Sequence, residues 1–376
     1  KKPIHCKNKI HGPLADQNKN PDYFKYGRGF AGYDVGVTSL AILAFLGNGH
    51  TQKFGRYRKI VRKGIEWLKS VQVNDPKSKW HGSIGYIIYG KKVDHPEWIY
   101  NHAIATMALC EAYAITKDFT LKDYAQRAVD FAAKCRNPAY AWSHHTPNDD
   151  PERVIHPGLN DSAVTGWMVL ALKSAKNSGP PEEGGLRVPK ECFQGALKWF
   201  NMVTNSQGAM GYMTPSGLGS VLPGREDYYT GMPTMTAVGM LCRMFAGLSK
   251  DHRIIKLGKQ IIMNHLPKWP TDNHKTINMY YWYYGTYTMF QIGGKDWHCG
   301  KNYNFEDLGS KACTCCWNHA VQKALILNQR QGVKGDCADG SWDPIGEWGI
   351  AGGRVYATAI GAITLEVFYR YERLQH

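Results

Sequence analysis

Apolar positions recur along the chain in two alternating modes. In the first, hydrophobic side chains fill one stripe of a helix. Over 57–72, Val61, Ile65 and Leu68 fall at i, i+4 and i+7, and Arg58, Lys59, Arg62, Lys63, Glu66 and Lys69 take the rest of the circumference. That spacing predicts an amphipathic surface helix. Segment 121–135 repeats it, with Leu121, Ala125, Ala128 and Ala132 inside, and 190–203, 251–266 and 317–330 read the same way. In the second mode the segment is apolar nearly all round, at 34–46, 101–115, 160–175, 232–246, 278–292 and 354–368. Such helices are buried on most sides, and their Gly, Ala, Ser and Thr let neighbours approach closely.

Buried and surface helices therefore alternate, and an inner ring inside an outer ring satisfies both. The pattern predicts an all-α (α/α)6 toroid over 31–376 as one domain. An open α-solenoid is the alternative. The spacing is irregular and too long for a helical repeat of about 34 residues. The sixth outer helix has no candidate. Residues 1–30, polar and carrying Pro3, Pro13 and Pro21, are expected to fill its place as an extended arm. Several outer helices lead into a Gly-aromatic loop: Gln72 to Gly82–Tyr86, Gln207 to Gly211-Tyr212, and Gln331 to Gly340-Ser341-Trp342. A Gln, a glycine turn and an aromatic that packs back are expected to staple adjacent repeats.

These Gln…Gly-x-aromatic loops resemble the repeat motif of squalene–hopene cyclases and protein prenyltransferase β subunits. Residues 63–72, Lys-Gly-Ile-Glu-Trp-Leu-Lys-Ser-Val-Gln, resemble their outer helix with its closing Gln. Gly340-Ser341-Trp342-Asp343-Pro344, followed by Gly352-Gly353-Arg354-Val355-Tyr356-Ala357-Thr358-Ala359, is similar to the last repeat of exported bacterial prenyltransferase/squalene-oxidase-repeat proteins. The resemblance covers 32–372 and implies the toroid and an exported, non-cytoplasmic bacterial setting. It does not carry the families' chemistry with it. The Asp-x-Asp-Asp acid of the cyclases is absent, with Asn148-Asp149-Asp150 nearest. For the prenyltransferase zinc ligands, Asp336 and Cys337 are adjacent rather than spaced, and the expected His is replaced by Arg354-Val355-Tyr356-Ala357. The thioester motif of complement-type toroids is absent, since Cys299-Gly300 continues Lys301-Asn302.

Charge narrows the partners. The 376 residues carry 46 Lys and Arg against 31 Asp and Glu, a net +15. That excess favours acidic partners. No nucleic-acid motif accompanies it. No run approaches the roughly 18 apolar residues of a membrane span, and no signal peptide is visible. The basic residues concentrate at 53–69 and 250–259, where they either dock an acidic protein or keep the surface soluble.

In a toroid the inner helix starts face one end of the cavity. There stand Tyr33-Asp34, Tyr100-Asn101-His102, Asn160-Asp161, Thr234, Thr236, Tyr280-Tyr281-Trp282 and Arg354-Tyr356. Unpaired N–H groups at such ends favour an anion. The cavity-binding candidates are Tyr33, Asn101, Tyr281, Trp282, Arg354 and Tyr356. Should the cavity be catalytic, Asp34, His102 and Asp161 are the acid/base candidates, with Trp98 and Trp282 as sugar platforms. Asp34 and Asp161 equally suit helix N-caps. Within 280–284 core filling is the main expectation, with Tyr281 and Tyr284 facing the cavity and Trp282 outward.

Cysteine supplies a second candidate. Cys110, Cys135, Cys192 and Cys242 sit in apolar helical patterns and read as core. His298-Cys299 and Cys313-Thr314-Cys315-Cys316-Trp317-Asn318-His319 crowd an insert at 297–316 and the helix after it. Cys299, Cys313 and Cys316, with His298 or His319, are candidate zinc ligands. Disulfides and free thiols are the alternatives. With the family motifs missing, the expectation is a non-catalytic binding or scaffold subunit. It would dock on an acidic protein in a larger assembly. An enzyme acting on a glycan or isoprenoid in the cavity is the alternative.

Overall fold

The computed structural model describes residues 27, 29–88, 90–92, 98–138, 140–146, 160–215, 233–270, 277–310, 315–331, 338–346 and 348–374. Among them the chain is mainly α-helical. A 3-10 turn, Ala31–Tyr33, leads into α1 (Asp34–Gly47), followed by α2 (Arg58–Ser70), α3 (Trp98–Thr116), α4 (Phe119–Lys134) and α5 (Ser162–Lys176). Next come α6 (Lys190–Met202), α7 (Thr234–Phe245), α8 (Arg253–Met263) and α9 (Met279–Ile292). The short α10 (Gly294–Trp297) and α11 (Phe305–Ser310) precede α12 (Trp317–Ile326) and α13 (Gly349–Arg370). One antiparallel pair, β1 (Ile87–Ile88) with β2 (Lys91–Lys92), sets Ile87 opposite Lys92. No helix among the described residues is long and apolar enough to cross a membrane. Residues 1–26, most of the expected arm, lie outside the described residues.

Each of the eleven segments with helical periodicity contains a helix. Polar side chains start several of them: Asp118, Asp161, His252 and Asn278 each accept a backbone N–H of the first turn. The last inner helix differs from expectation. Residues 349–352 already turn helically, Gly353 breaks the path at φ 69°, and the regular stretch resumes at Arg354. A positive φ is open to glycine at no steric cost. At this break the start of the chain is clasped. Phe30 N–H donates to Ala351 O at 2.8 Å, and Arg354 N–H donates to Gly27 O at 3.0 Å.

The apolar helices pack in sequence: α1 on α3, α3 on α5, α5 on α7, α7 on α9, and α9 on α13. Helix α13 then packs on α1, so the series closes. The amphipathic helices lie outside it. Helix α2 rests on α1, α4 on α3 and α5, α6 on α5 and α7, α8 on α7, and α12 on α9 and α13. Small residues permit these approaches. A Cβ on Gly285 of α9 would stand 2.3 Å from the Trp317 indole of α12, which is why the largest side chain fits there. The expected loop staple is present at Gln72. Its Nε2 donates to Gly82 O at 3.2 Å and to Tyr124 O at 3.0 Å, tying α2 to α4. In the last repeat Gln329, not Gln331, makes the bond, to Gly340 O at 2.7 Å. Gln207 is exposed and takes its place through its backbone.

The final two turns of the apolar helices meet at a buried ionic knot. Arg370 donates to Glu111 of α3, to Glu366 at 3.1 Å and to Leu43 O of α1 at 2.6 Å. Ser174 of α5 completes it by donating to Glu111 at 3.1 Å. Two carboxylates share one guanidinium. Burial pushes the Glu366 carboxyl up to about 7, Glu111 adds to the rise, and Arg370 opposes it. A carboxyl raised above its unfolded value of about 4.3 holds an extra proton in the native state between those two values. Stability from this group therefore falls as pH rises from about 4.3 through 7. Glu366→Gln, which mimics the protonated form, is expected to flatten that decline. Urea unfolding across this pH range tests it, and a variant with the same slope as the parent contradicts it.

Candidate functional site

Four loops make the same hydrogen bond to the inner helix that follows. Ile84 N–H donates to His102 Nδ1 at 3.2 Å, Trp142 N–H to Thr165 Oγ1 at 3.3 Å, Met210 N–H to Thr236 Oγ1 at 3.1 Å, and Trp342 N–H to Thr358 Oγ1 at 3.4 Å. His102 thus holds the place that threonine holds in three other repeats. Burial brings its imidazole down to about 3, so it stays neutral and its Nδ1 stays an acceptor. Phe131 packs edge-on against it at 5.0 Å. This corrects the expectation of His102 as an acid/base group, because its ring faces a loop and an outer helix.

Two residues past each of these loop donors stand Tyr86, His144, Tyr212 and Pro344. Tyr86 stacks on Trp80 at 3.7 Å. His144 and Tyr212 instead converge on Asp161. Asp161 is 2% exposed, and its Oδ1 caps α5 by accepting Val164 N–H at 2.8 Å. Its Oδ2 lies 3.2 Å from His144 Nε2. The same His144 nitrogen is 3.3 Å from the Tyr212 hydroxyl. The buried phenols of Tyr212 and Tyr100 lie close enough to feel the Asp161 charge. Burial, with the Asp161 charge second, pushes both phenols well above their usual range. His144 thus stands between the Asp161 carboxylate and the Tyr212 hydroxyl, with the Tyr100 ring edge-on to it at 5.3 Å, a relay cluster that can store or pass a proton. Asp161 was expected from the sequence, as cap or as acid. His144 was not. Its signal was positional equivalence to Tyr212 in a loop pattern that tolerates either residue.

The relay borders a small cavity of about 80 Å³. Tyr100 belongs to both, and Tyr280 is a further phenol on the cavity wall. The other walls are Tyr33, Gly36, Val37, Leu40, Asn101, Ile104, Ala163, Trp167, Trp348, Ala351, Gly352 and Tyr356. Trp167 stacks on Tyr280 at 5.9 Å. Of the expected cavity residues, Tyr33, Asn101 and Tyr356 line it. Asn101 is committed to structure, accepting Gly36 N–H at 2.8 Å and donating to Gly32 O at 2.6 Å.

The others are placed elsewhere. Tyr281 reaches outward to donate to Ile262 O and His265 O at 3.2 and 3.0 Å. Trp282 packs on Trp269 at 6.0 Å. Trp98 is buried against Trp80 and Tyr86 and offers no platform. Arg354 clamps the preceding loop through Asp343 at 2.6 Å and Ser341 at 2.7 Å. Asp34 is the first residue of α1, half-buried, and outside the cavity walls. The helical register of α9 explains the exchange, because Tyr280 and Tyr284 share a face and Tyr281 does not. Tyr284 packs edge-on to Trp167 at 5.5 Å.

The cysteine-rich segment brings Cys299, Cys316 and His319 together, with their ligand atoms all within 4.8 Å of one another. None of the described cysteines forms a disulfide. Cys313, Asp336-Cys337 and Asn148-Asp149-Asp150 lie outside the described residues. On the outer wall Arg56, Arg58, Lys59, Arg62 and Lys63 are exposed. No family model and no curated protein matches the chain.

The role of His102 is open to a direct test. His102→Thr, the residue of the equivalent positions, is expected to keep most of the stability. His102→Leu leaves Ile84 N–H buried without an acceptor and is expected to cost about 1–3 kcal/mol in urea unfolding. Equal losses in both variants would contradict the assignment.

Proposed function

We propose that the closed cycle of helices is an (α/α)6 toroid of the prenyltransferase/squalene-oxidase-repeat type, and that its cavity takes an isoprenoid-like ligand for proton-transfer chemistry. The observation that carries this reading is the Asp161–His144–Tyr212–Tyr100 relay at the edge of an aromatic-walled cavity. The walls decide the ligand class. Val37, Leu40, Ile104 and Ala163 offer no hydrogen bonds, and the Asn101 amide is occupied. Sugar hydroxyls placed there would meet mostly apolar wall, with only the phenols and indoles as partners, and much of their hydration would go unreplaced. A hydrocarbon with one polar end meets no such penalty. In this reading Asp161 orients His144, and Tyr100, the member of the cluster on the cavity wall, exchanges the proton with the ligand.

Isoprenols of one to three isoprene units are the probes, followed by quenching of tryptophan fluorescence and by mass spectrometry of products. Saturable binding to the parent is expected, lost in the cavity-filling Ala163→Phe. Asp161→Asn keeps a capping oxygen, and His144→Gln keeps the shape. Each is expected to retain binding and to lower conversion by roughly 10²–10⁴-fold. Binding untouched by Ala163→Phe, or conversion untouched by the relay variants, overturns the reading.

A second reading concerns the outer wall and has its own observation. Beside the basic residues of α2, Phe54 and Ile60 are 63% and 57% exposed. Apolar anchors within a basic rim suit docking on an acidic protein, with the charges steering encounter and the anchors holding. Chain isolated from its native source is expected to bring an acidic partner with it. That association should weaken as salt rises, because exposed charges are screened beyond about 10 Å at 0.1 M. A chain that stays monomeric on sizing at both low and physiological salt counts against docking.

A further inference from the structure

The cysteine-rich excursion after α9 returns to its starting point. Cys299 follows the short α10. Cys316 is the N-cap of α12, and His319 lies in that helix's first turn. His319 Nδ1 stands 3.2 Å from Cys316 Sγ and 3.6 Å from Cys299 Sγ. Zinc–sulfur bonds of about 2.3 Å and zinc–nitrogen bonds of about 2.0–2.1 Å at a tetrahedral angle put sulfur and nitrogen about 3.5 Å apart. The two observed edges bracket that value. Cys316 and His319 are buried and Cys299 is half-buried, so the three donors face one another rather than solvent. The imidazole is held edge-on by His298 at 5.0 Å and Tyr303 at 4.9 Å, which fixes its plane. His298 Nδ1 is already taken by Gly300 N–H at 3.1 Å.

We infer that Cys299, Cys316 and His319 bind one zinc-class divalent metal ion, which ties the end of α10 to the start of α12. Two thiolates and a borderline-soft imidazole select zinc over magnesium or calcium. The ion binds through His319 Nδ1, with the ring proton on Nε2. Charge balances. The two thiols give up their protons, and the two thiolates neutralise the +2 charge with the imidazole neutral. The three ligands among the described residues leave one of four positions open. The site is remote in sequence from the Asp161 relay and stands or falls independently of the cavity.

The test uses the full chain purified anaerobically without chelator. About one zinc per chain is expected, together with release of about two protons per ion when the stripped chain is titrated near neutral pH. Replacement by cobalt should give the thiolate-to-cobalt charge-transfer absorption of a sulfur-ligated ion. Those readouts need no variant, so a misfolded variant cannot hide the answer. Cys316→Ser and His319→Ala are expected to weaken zinc binding by more than the roughly 10–100-fold that outer-shell changes cost. The exposed neighbour Cys315→Ser should leave binding unchanged. Zinc content no higher than in a Cys299→Ser/Cys316→Ser chain overturns the site. So does a Cys299–Cys316 disulfide in freshly purified protein, or loss of metal in Cys315→Ser equal to that in Cys316→Ser.

Discussion

One guanidinium holds the closed end of this molecule. Arg370 reaches helices α1 and α3 directly, binds Glu366 on its own helix, and meets α5 through Glu111 and Ser174. Buried ion pairs are rarely a net gain over apolar packing, but removing one partner leaves a charge stranded and costs several kcal/mol. The knot therefore enforces a particular arrangement more than it adds stability. Only when α13 lies against α1 and α3 do both carboxylates find their cation. Tyr371 stacks on Tyr287 at 4.1 Å just beyond it, so the end of the chain is held by aromatic packing as well. With one end closed in this way, the cavity opens toward the helix starts, where the polar residues gather.

The chemistry of that other end grows out of a structural repeat. A loop N–H docking on the next inner helix is needed wherever a loop enters the core, because a buried donor cannot go without an acceptor. The residue two positions later is then carried to the same place in each repeat. Tyr86 is absorbed by Trp80, while His144 and Tyr212 are left facing Asp161. A relay assembled from equivalent positions of separate repeats needs no dedicated motif, which is why a search for contiguous signatures passes over it.

Legibility divides along the same line. The helices were readable because periodicity is a local property, and each of the eleven segments contains a helix, although the last begins earlier and is broken at Gly353. Asp161 was readable because a cap announces itself beside its helix. His102 misled, since a histidine at a helix start looks like chemistry until the loop that covers it is known. Tyr280 and Tyr281 were interchanged because a run of five aromatics carries no mark of which residue faces inward. Cys316 and His319 are neighbours on a helix turn, but their approach to Cys299 depends on the path of the intervening loop. That path is not encoded by any repeat.

The clasp between the chain's beginning and its last helix has a kinetic meaning. Phe30 and Gly27 bond to residues flanking the Gly353 break, and α1 completes its packing only against α13. During synthesis each later apolar helix can settle on its predecessor, but α1 keeps one apolar face uncovered until α13 emerges. Contacts between residues far apart in sequence are slow to form, and exposed apolar surface in the meantime invites association. A closed cycle of helices thus trades an early, growing order for a single late step that completes the core, and it is during that interval that this chain is most exposed to misassembly.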